Sequence, residues 1–148
     1  MMNISGLLSN KILFTALVAW TIAQGLKVPS TLISRRHWDF ARLVSPGGMP
    51  SSHSALVTAL FVAVGRVKGF SSAEAAIATV LALVVMYDSA GVRRAAGAQA
   101  IILNKIVDEV FKEGRIREER LRELIGHTPV EVFVGAILGV LVGVLMRL

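Results

Sequence analysis

Four long apolar stretches, separated by polar connections, set the organisation of this chain. They run over roughly 7–26 (LLSNKILFTALVAWTIAQGL), 52–68 (SHSALVTALFVAVGRVK), 72–88 (SAEAAIATVLALVVMYD) and 129–147 (PVEVFVGAILGVLVGVLMR). A helix crossing the hydrocarbon core of a bilayer needs about 17–25 such residues. The pattern predicts four membrane-spanning helices. The second and third are short, so tilt or burial among neighbours is expected of them. A cleaved signal peptide is the other reading of the first stretch, where Lys11 precedes an apolar run. No small-x-small cleavage site follows it.

Two connections carry most of the polar residues. The first, 27–51, holds Lys27, Arg35, Arg36, His37 and Arg42 and ends in a Pro/Gly-rich turn. The second, 89–128, is longer. From Gln99 to Phe111 the apolar residues Ile102, Ile106 and Val110 recur every four positions, joined by Leu103 and Val107. That spacing predicts an amphipathic helix. Gly114 breaks it, and Arg117 to Glu123 forms a second, charged piece, giving a helical hairpin at the membrane interface.

The charges then orient the spans. One side of a four-span chain carries Lys11, Arg66, Lys68 and Arg147, while all twelve other Lys and Arg residues fall on the opposite side. The positive-inside rule makes that richer side cytoplasmic. His37, His53 and His127 lie there too.

Composition agrees with a membrane class. Of 148 residues 54% are hydrophobic, mean hydropathy is +0.66 and only 18% are charged. Such a chain has too few polar groups to cover a soluble surface, and its length suits one domain, 1–148. It has no Cys, which excludes disulfides and thiolate chemistry. Its excess of 16 Lys plus Arg over 10 Asp plus Glu points to anionic headgroups or a phosphorylated substrate. No nucleic-acid partner is expected.

Three polar clusters meet at the cytoplasmic ends of the spans. GGMPSSHSA (Gly47 to Ala55) opens span two, YDSAGVRRAAG (Tyr87 to Gly97) closes span three, and GHTPVEV (Gly126 to Val132) opens span four. Ionisable groups at membrane depth are costly and mark functional sites. These suit phosphoryl transfer. Arg93 and Arg94 can fork onto phosphate oxygens. The start of span two offers free backbone N–H groups, and Ser51 and Ser52 add hydroxyls. One imidazole can attack phosphorus and another can protonate the leaving oxygen. No carboxylate cluster has metal-ligand spacing and no Walker motif occurs, so no metal and no cofactor are expected.

These clusters resemble the type-2 phosphatidic acid phosphatase superfamily, which includes the vanadium haloperoxidases. Its motifs are K-x6-R-P, P-S-G-H and S-R-x5-H-x3-D. Pro50-Ser51-Ser52-His53 is similar to the second, with Ser52 in the Gly place. His127-Thr128-Pro129-Val130-Glu131 is similar to H-x3-D, with Glu for Asp. Arg93 or Arg94 stands for its Arg, about thirty residues away where the family has five. For the first motif, Lys27 with Arg35 and Arg35 with Arg42 both compete, and neither Arg precedes Pro. The chain resembles more closely a small divergent branch of that superfamily, whose members read like GGMPSSHSA…GVRR.AG.QA…LN…L.E..GH.P.EV, over most of 20–140.

The resemblance implies roles. His127 would be the nucleophile that forms a phosphohistidine, and Glu131 would orient it. His53 would be the acid for the leaving group and then the base for water. Lys27, Arg35, Ser51, Ser52, Arg93 and Arg94 would bind the phosphoryl oxygens. Plainer readings stand beside these. Thr128 to Glu131 is also a capping box with Pro at the first helical position. His53 can be an interfacial histidine, and the two arginines can snorkel to headgroups. His37 can be a surface residue near an interfacial Trp38. Asp88 can pair with one of the arginines, and Gln99, Asn104 and Lys105 can face the site or only the polar side of their helix. Gly135, Gly139 and Gly143 form a small-residue stripe, for packing inside the bundle or for a homodimer.

The resulting expectation is an all-α polytopic membrane bundle with an interfacial helical hairpin, in the plasma (inner) membrane with its site facing the cytoplasm. It would hydrolyse a phosphate monoester or diphosphate of a lipid, such as phosphatidylglycerophosphate, phosphatidic acid or a prenyl phosphate, without a metal. The alternatives are an inactive lipid-phosphate-binding or scaffold protein, and a small transport or channel subunit.

Overall fold

The computed structural model describes residues 6, 9–36, 38, 48–110 and 127–148, with the side chains of 34, 35, 92–94 and 107–110 left aside. Within them the chain is all-α: α1 Lys11–Arg35, α2 Ser52–Lys68, α3 Ala73–Ala90, α4 Val92–Val110 and α5 Pro129–Leu145. Four of these five starts have a capping side chain. Asn10, Ser51, Ser72 and Thr128 cap α1, α2, α3 and α5, each side-chain oxygen accepting a backbone N–H that the first turn leaves unpaired. At its other end α2 stops at Gly69, whose φ of 90° suits glycine.

The central helix is α2. It packs most extensively on α5, then on α1, then on α3. Small residues make these contacts: Ala16, Ala19, Ala23, Ala55, Ala59 and Ala63 are buried, as are Ala75, Ala78 and Ala82 on α3. The large apolar side chains point outward instead, among them Phe14, Trp20, Ile77, Val84, Phe133 and Leu141. In water this arrangement would cost free energy, because burial of large apolar side chains drives soluble folding. In lipid it is the expected one, since small residues let helices approach and lipid tails accept the large ones.

The glycine stripe on α5 shows how close that approach is. A Cβ at Gly135 would meet the Ser51 carbonyl oxygen, one at Gly139 would meet Thr58 Oγ1 and the Ala55 carbonyl, and one at Gly143 would lie 2.7 Å from Val62 Cβ. The stripe is therefore taken up by α2 of the same chain. Two polar rungs reinforce the pair. The Thr58 hydroxyl lies 3.2 Å from the Ala136 carbonyl, and an Arg66 guanidinium nitrogen donates to the carbonyls of Gly143, Val144 and Met146 at 2.7, 2.9 and 2.8 Å. Arg66 thus satisfies the orphan carbonyls at the end of α5.

Two expectations change. Hydropathy ends the first span at 26 and puts Lys27 in a connection. The structure carries α1 through Lys27 and Pro29 to Arg35, and Lys27 is only 2% exposed. Its charge lies inside the bundle, so a hydropathy count that stops at Lys27 stops too early. Lys27 also ceases to be a loop cation for orientation. The amphipathic helix begins at Val92, not at 99, and joins α3 almost without interruption. The Gly91 N–H donates to the Tyr87 carbonyl at 2.9 Å and the Ala95 N–H to the Gly91 carbonyl at 3.0 Å, both helical bonds. The second arm of the expected hairpin lies outside the described residues.

Among the described residues two stretches are long and apolar enough to cross a membrane, Lys11–Ile33 and Ala73–Ile106; Pro129–Leu145 is apolar but shorter. The 34 residues of Ala73–Ile106 would span about 51 Å at 1.5 Å per residue, well beyond the ~30 Å of a hydrocarbon core.

Candidate functional site

The start of α2 and the start of α5 lie side by side. The Ser51 N–H donates to the Glu131 carbonyl at 3.0 Å, which ties the two helix N-termini together. The end of α3 joins them, since the His127 N–H donates to the Ser89 carbonyl at 3.2 Å. Two positive dipole ends thus converge on one place, an arrangement that favours an anion.

His127 is buried, its side chain 4% exposed, and Nδ1 lies 3.0 Å from Glu131 Oε2. A carboxylate only accepts, so this contact places the proton on Nδ1 and leaves the lone pair of Nε2 for chemistry. The same Oε2 also accepts the Thr128 N–H at 3.0 Å, while Thr128 Oγ1 accepts the Glu131 N–H at 3.3 Å. The capping box is complete. The sequence offered the cap and the histidine partner as rival uses of Glu131; one oxygen serves both.

His53 is the second residue of α2, its ring centroid 6.2 Å from that of His127 with the rings at 63°. Both imidazoles are thus within reach of one small group. Lys27 enters from α1, and its Nζ donates to Ser52 Oγ at 3.4 Å. Gly48, at φ 85°, lies against its aliphatic stem: a Cβ there would be 3.8 Å from Lys27 Cγ. Of the first-motif candidates Lys27, Arg35 and Arg42, Lys27 is the one whose side chain the structure describes, and it stands beside Ser52. Ser51 is fully buried, and its oxygen accepts from the Ser54 N–H at 3.4 Å and from the Ser54 hydroxyl at 3.1 Å. Its oxygen is engaged as a helix cap, whereas Ser52 stands beside the ammonium.

The side chains of Arg35, Arg93 and Arg94, and the residues His37 and Arg42, lie outside what the structure describes. On α4 Asn104 turns inward and is 7% exposed, while Gln99 and Lys105 are exposed. Among the described residues no three His, Asp or Glu side chains gather as metal ligands would.

Sequence reasoning missed Ser89. It is buried at the end of the stripe Ala75, Ala78, Ala82, the inward face of α3, and its carbonyl anchors His127. A lone polar residue continuing a small-residue stripe was the available signal. Ser54, also fully buried, was missed for a plainer reason: as the third residue of a helix it reads as cap support.

Comparison with known proteins gives the family of this chain. No solved structure matches the chain. It is 40% identical over 146 residues to the uncharacterized membrane protein YuiD of Bacillus subtilis (strain 168), covering 91% of this chain and 92% of that protein. The family described as the Divergent PAP2 family matches residues 8–142, a span that contains every described site residue, and the chain belongs to that family.

Proposed function

We propose that this protein is a membrane-embedded phosphatase of lipid phosphates that works through a phosphohistidine without a metal. The observation that carries this is the Glu131–His127 contact at 3.0 Å, set beside His53, Lys27 and Ser52 at two helix N-termini. Nε2 of His127 attacks phosphorus, an N–P bond forms, and the bond from phosphorus to the lipid oxygen breaks. His53 gives its proton to that oxygen. Water then loses a proton to His53 and attacks phosphorus, releasing phosphate and freeing His127. Lys27, Ser52 and the arginines 35, 93 and 94 neutralise the phosphoryl oxygens. Glu131 stabilises the charge that grows on the ring.

In this reading α1, α2, α3 and α5 all cross the membrane, α2 shielded by its neighbours, and α4 lies at the interface. The membrane is the plasma membrane and the site faces the cytoplasm. The headgroup candidates are phosphatidylglycerophosphate, phosphatidic acid and prenyl phosphates.

A phosphate-release assay over a panel of these lipids, on purified protein, tests the proposal. Release is expected to persist in EDTA. Vanadate is expected to inhibit, since it copies the trigonal-bipyramidal phosphorus and a transition-state mimic binds tightly. Loss of activity in EDTA with recovery in Mg²⁺ would refute the mechanism. Binding of a lipid phosphate with no release at all would favour the inactive lipid-binding protein.

Glu131→Gln should lower turnover at least about tenfold, roughly 1.4 kcal/mol in the barrier. Gln still serves in a capping box, so the helix start survives while the charge opposite His127 is lost. Turnover within twofold of the wild type would remove Glu131 from the mechanism.

Orientation has its own check. The chain has no Cys, so single cysteines at Gly114 and Gly69 report sidedness cleanly. An impermeant thiol reagent applied to intact cells should label Gly69→Cys and spare Gly114→Cys. The reverse pattern would place the site outside.

A further inference from the structure

We propose that Thr128 is a positioning residue for His127, acting through the carboxylate of Glu131; this rests on the phosphatase reading above. Glu131 has a long side chain with several rotatable bonds, and four positions separate it from the ring it must hold. The structure removes that freedom at the helix start. Oε2 is pinned by the Thr128 N–H at 3.0 Å, and the same atom meets His127 Nδ1 at 3.0 Å. The carboxylate can face the imidazole in this way only while the first turn of α5 keeps its shape.

Several bonds fix that shape. The His127 N–H is anchored on the Ser89 carbonyl, and the Glu131 carbonyl accepts the Ser51 N–H. Pro129 at the first helical position presets its own φ. The remaining bond runs from the Glu131 N–H to Thr128 Oγ1 at 3.3 Å. Of these anchors it is the one that a side-chain change deletes while the backbone bonds remain. A hydroxyl that lies beside the reacting pair, and touches no part of the phosphoryl group in this scheme, thereby sets the tautomer and aim of the nucleophile.

Glycine separates positioning from folding, because it is well tolerated at an N-cap yet supplies no acceptor. Full-length Thr128→Gly, in nanodiscs, should lose about five- to tenfold in kcat with KM within twofold, the pattern of an interaction expressed only in the transition state. Thr128→Ser should restore most of the rate. In a Glu131→Gln background Thr128→Gly should add no further loss, since both act on one contact. A second readout needs no turnover. With ¹⁵N-labelled histidine, assigned through His127→Gln, the wild-type ring should show protonated Nδ1, and Thr128→Gly should show a mixture of tautomers. An unchanged kcat with an unchanged tautomer overturns the proposal, as does an equal loss in the Glu131→Gln background. A Thr128→Gly protein that fails to fold makes Thr128 a structural cap, which also overturns it. Should the wild type release phosphate from no lipid, the phosphatase reading falls, and the tautomer measurement alone decides the role of Thr128.

Discussion

His127→Ala should abolish phosphate release, by at least about a thousandfold, or about 4 kcal/mol in the barrier. The substitution deletes the attacking nitrogen. It leaves the backbone anchor to Ser89 and the Thr128–Glu131 cap in place, because neither uses the His127 side chain. The protein should remain folded, with a small cavity where a side chain only 4% exposed had been. Turnover and the thermal unfolding midpoint are measured together. Loss of turnover with a near-native midpoint identifies the nucleophile. Retained turnover would mean that His53, or a water it activates, attacks phosphorus directly. Trapped phosphoenzyme, acid-labile and alkali-stable as a phosphohistidine should be, is expected in the wild type and absent from the variant.

The second large effect is structural. Gly139→Val should unseat α5 from α2 and remove activity together with the folded state. A single Cβ at 139 already collides with Thr58 Oγ1 and the Ala55 carbonyl. The carbonyl belongs to the helix backbone, so the clash cannot be relieved by turning a side chain. Overpacking of ordinary cores costs about 1–3 kcal/mol, and a rigid backbone neighbour puts this case at the upper end or beyond. The separation would part Ser51 from Glu131 and so pull His53 away from His127. Gly25→Ala is the control: no atom lies within 4 Å of a Cβ there, and Ala is a better helix former than Gly. A Gly139→Val protein with a wild-type unfolding midpoint would mean that the close approach of α2 and α5 is not needed.

Much of the architecture was legible because its causes are local. The bounds of α2 match the apolar stretch at 52–68, since Ser51 and Gly69 punctuate it and the residues between are mostly apolar. α5 starts where Thr128-Pro129 says it should, and α3 falls within two residues of its stretch at both ends. The site pair His127–Glu131 was also legible. Four positions across a helix start bring His127 within reach of Glu131 once its backbone is held, as the bond to the Ser89 carbonyl holds it.

Sequence by itself determined the helices with marked starts, the all-α class, and the candidate pair of imidazole and carboxylate that meet at 3.0 Å. Tertiary structure decided the rest. A buried lysine looks like a loop lysine until Ser52 and the stem-side Gly48 are brought to it from 21 or more positions away. Glu131 had two plausible uses on paper. Only coordinates can show one oxygen accepting both hydrogen bonds. The glycine stripe carried no address, because small residues permit close approach to any helix; the placement of α2 gave it one. Ser89 matters through its backbone carbonyl, and every residue has a carbonyl, so its side-chain type could not announce the bond that holds His127. Local chemistry is written in residue types and spacings, whereas a contact between distant helices depends on how they pack, and that is where this site was completed.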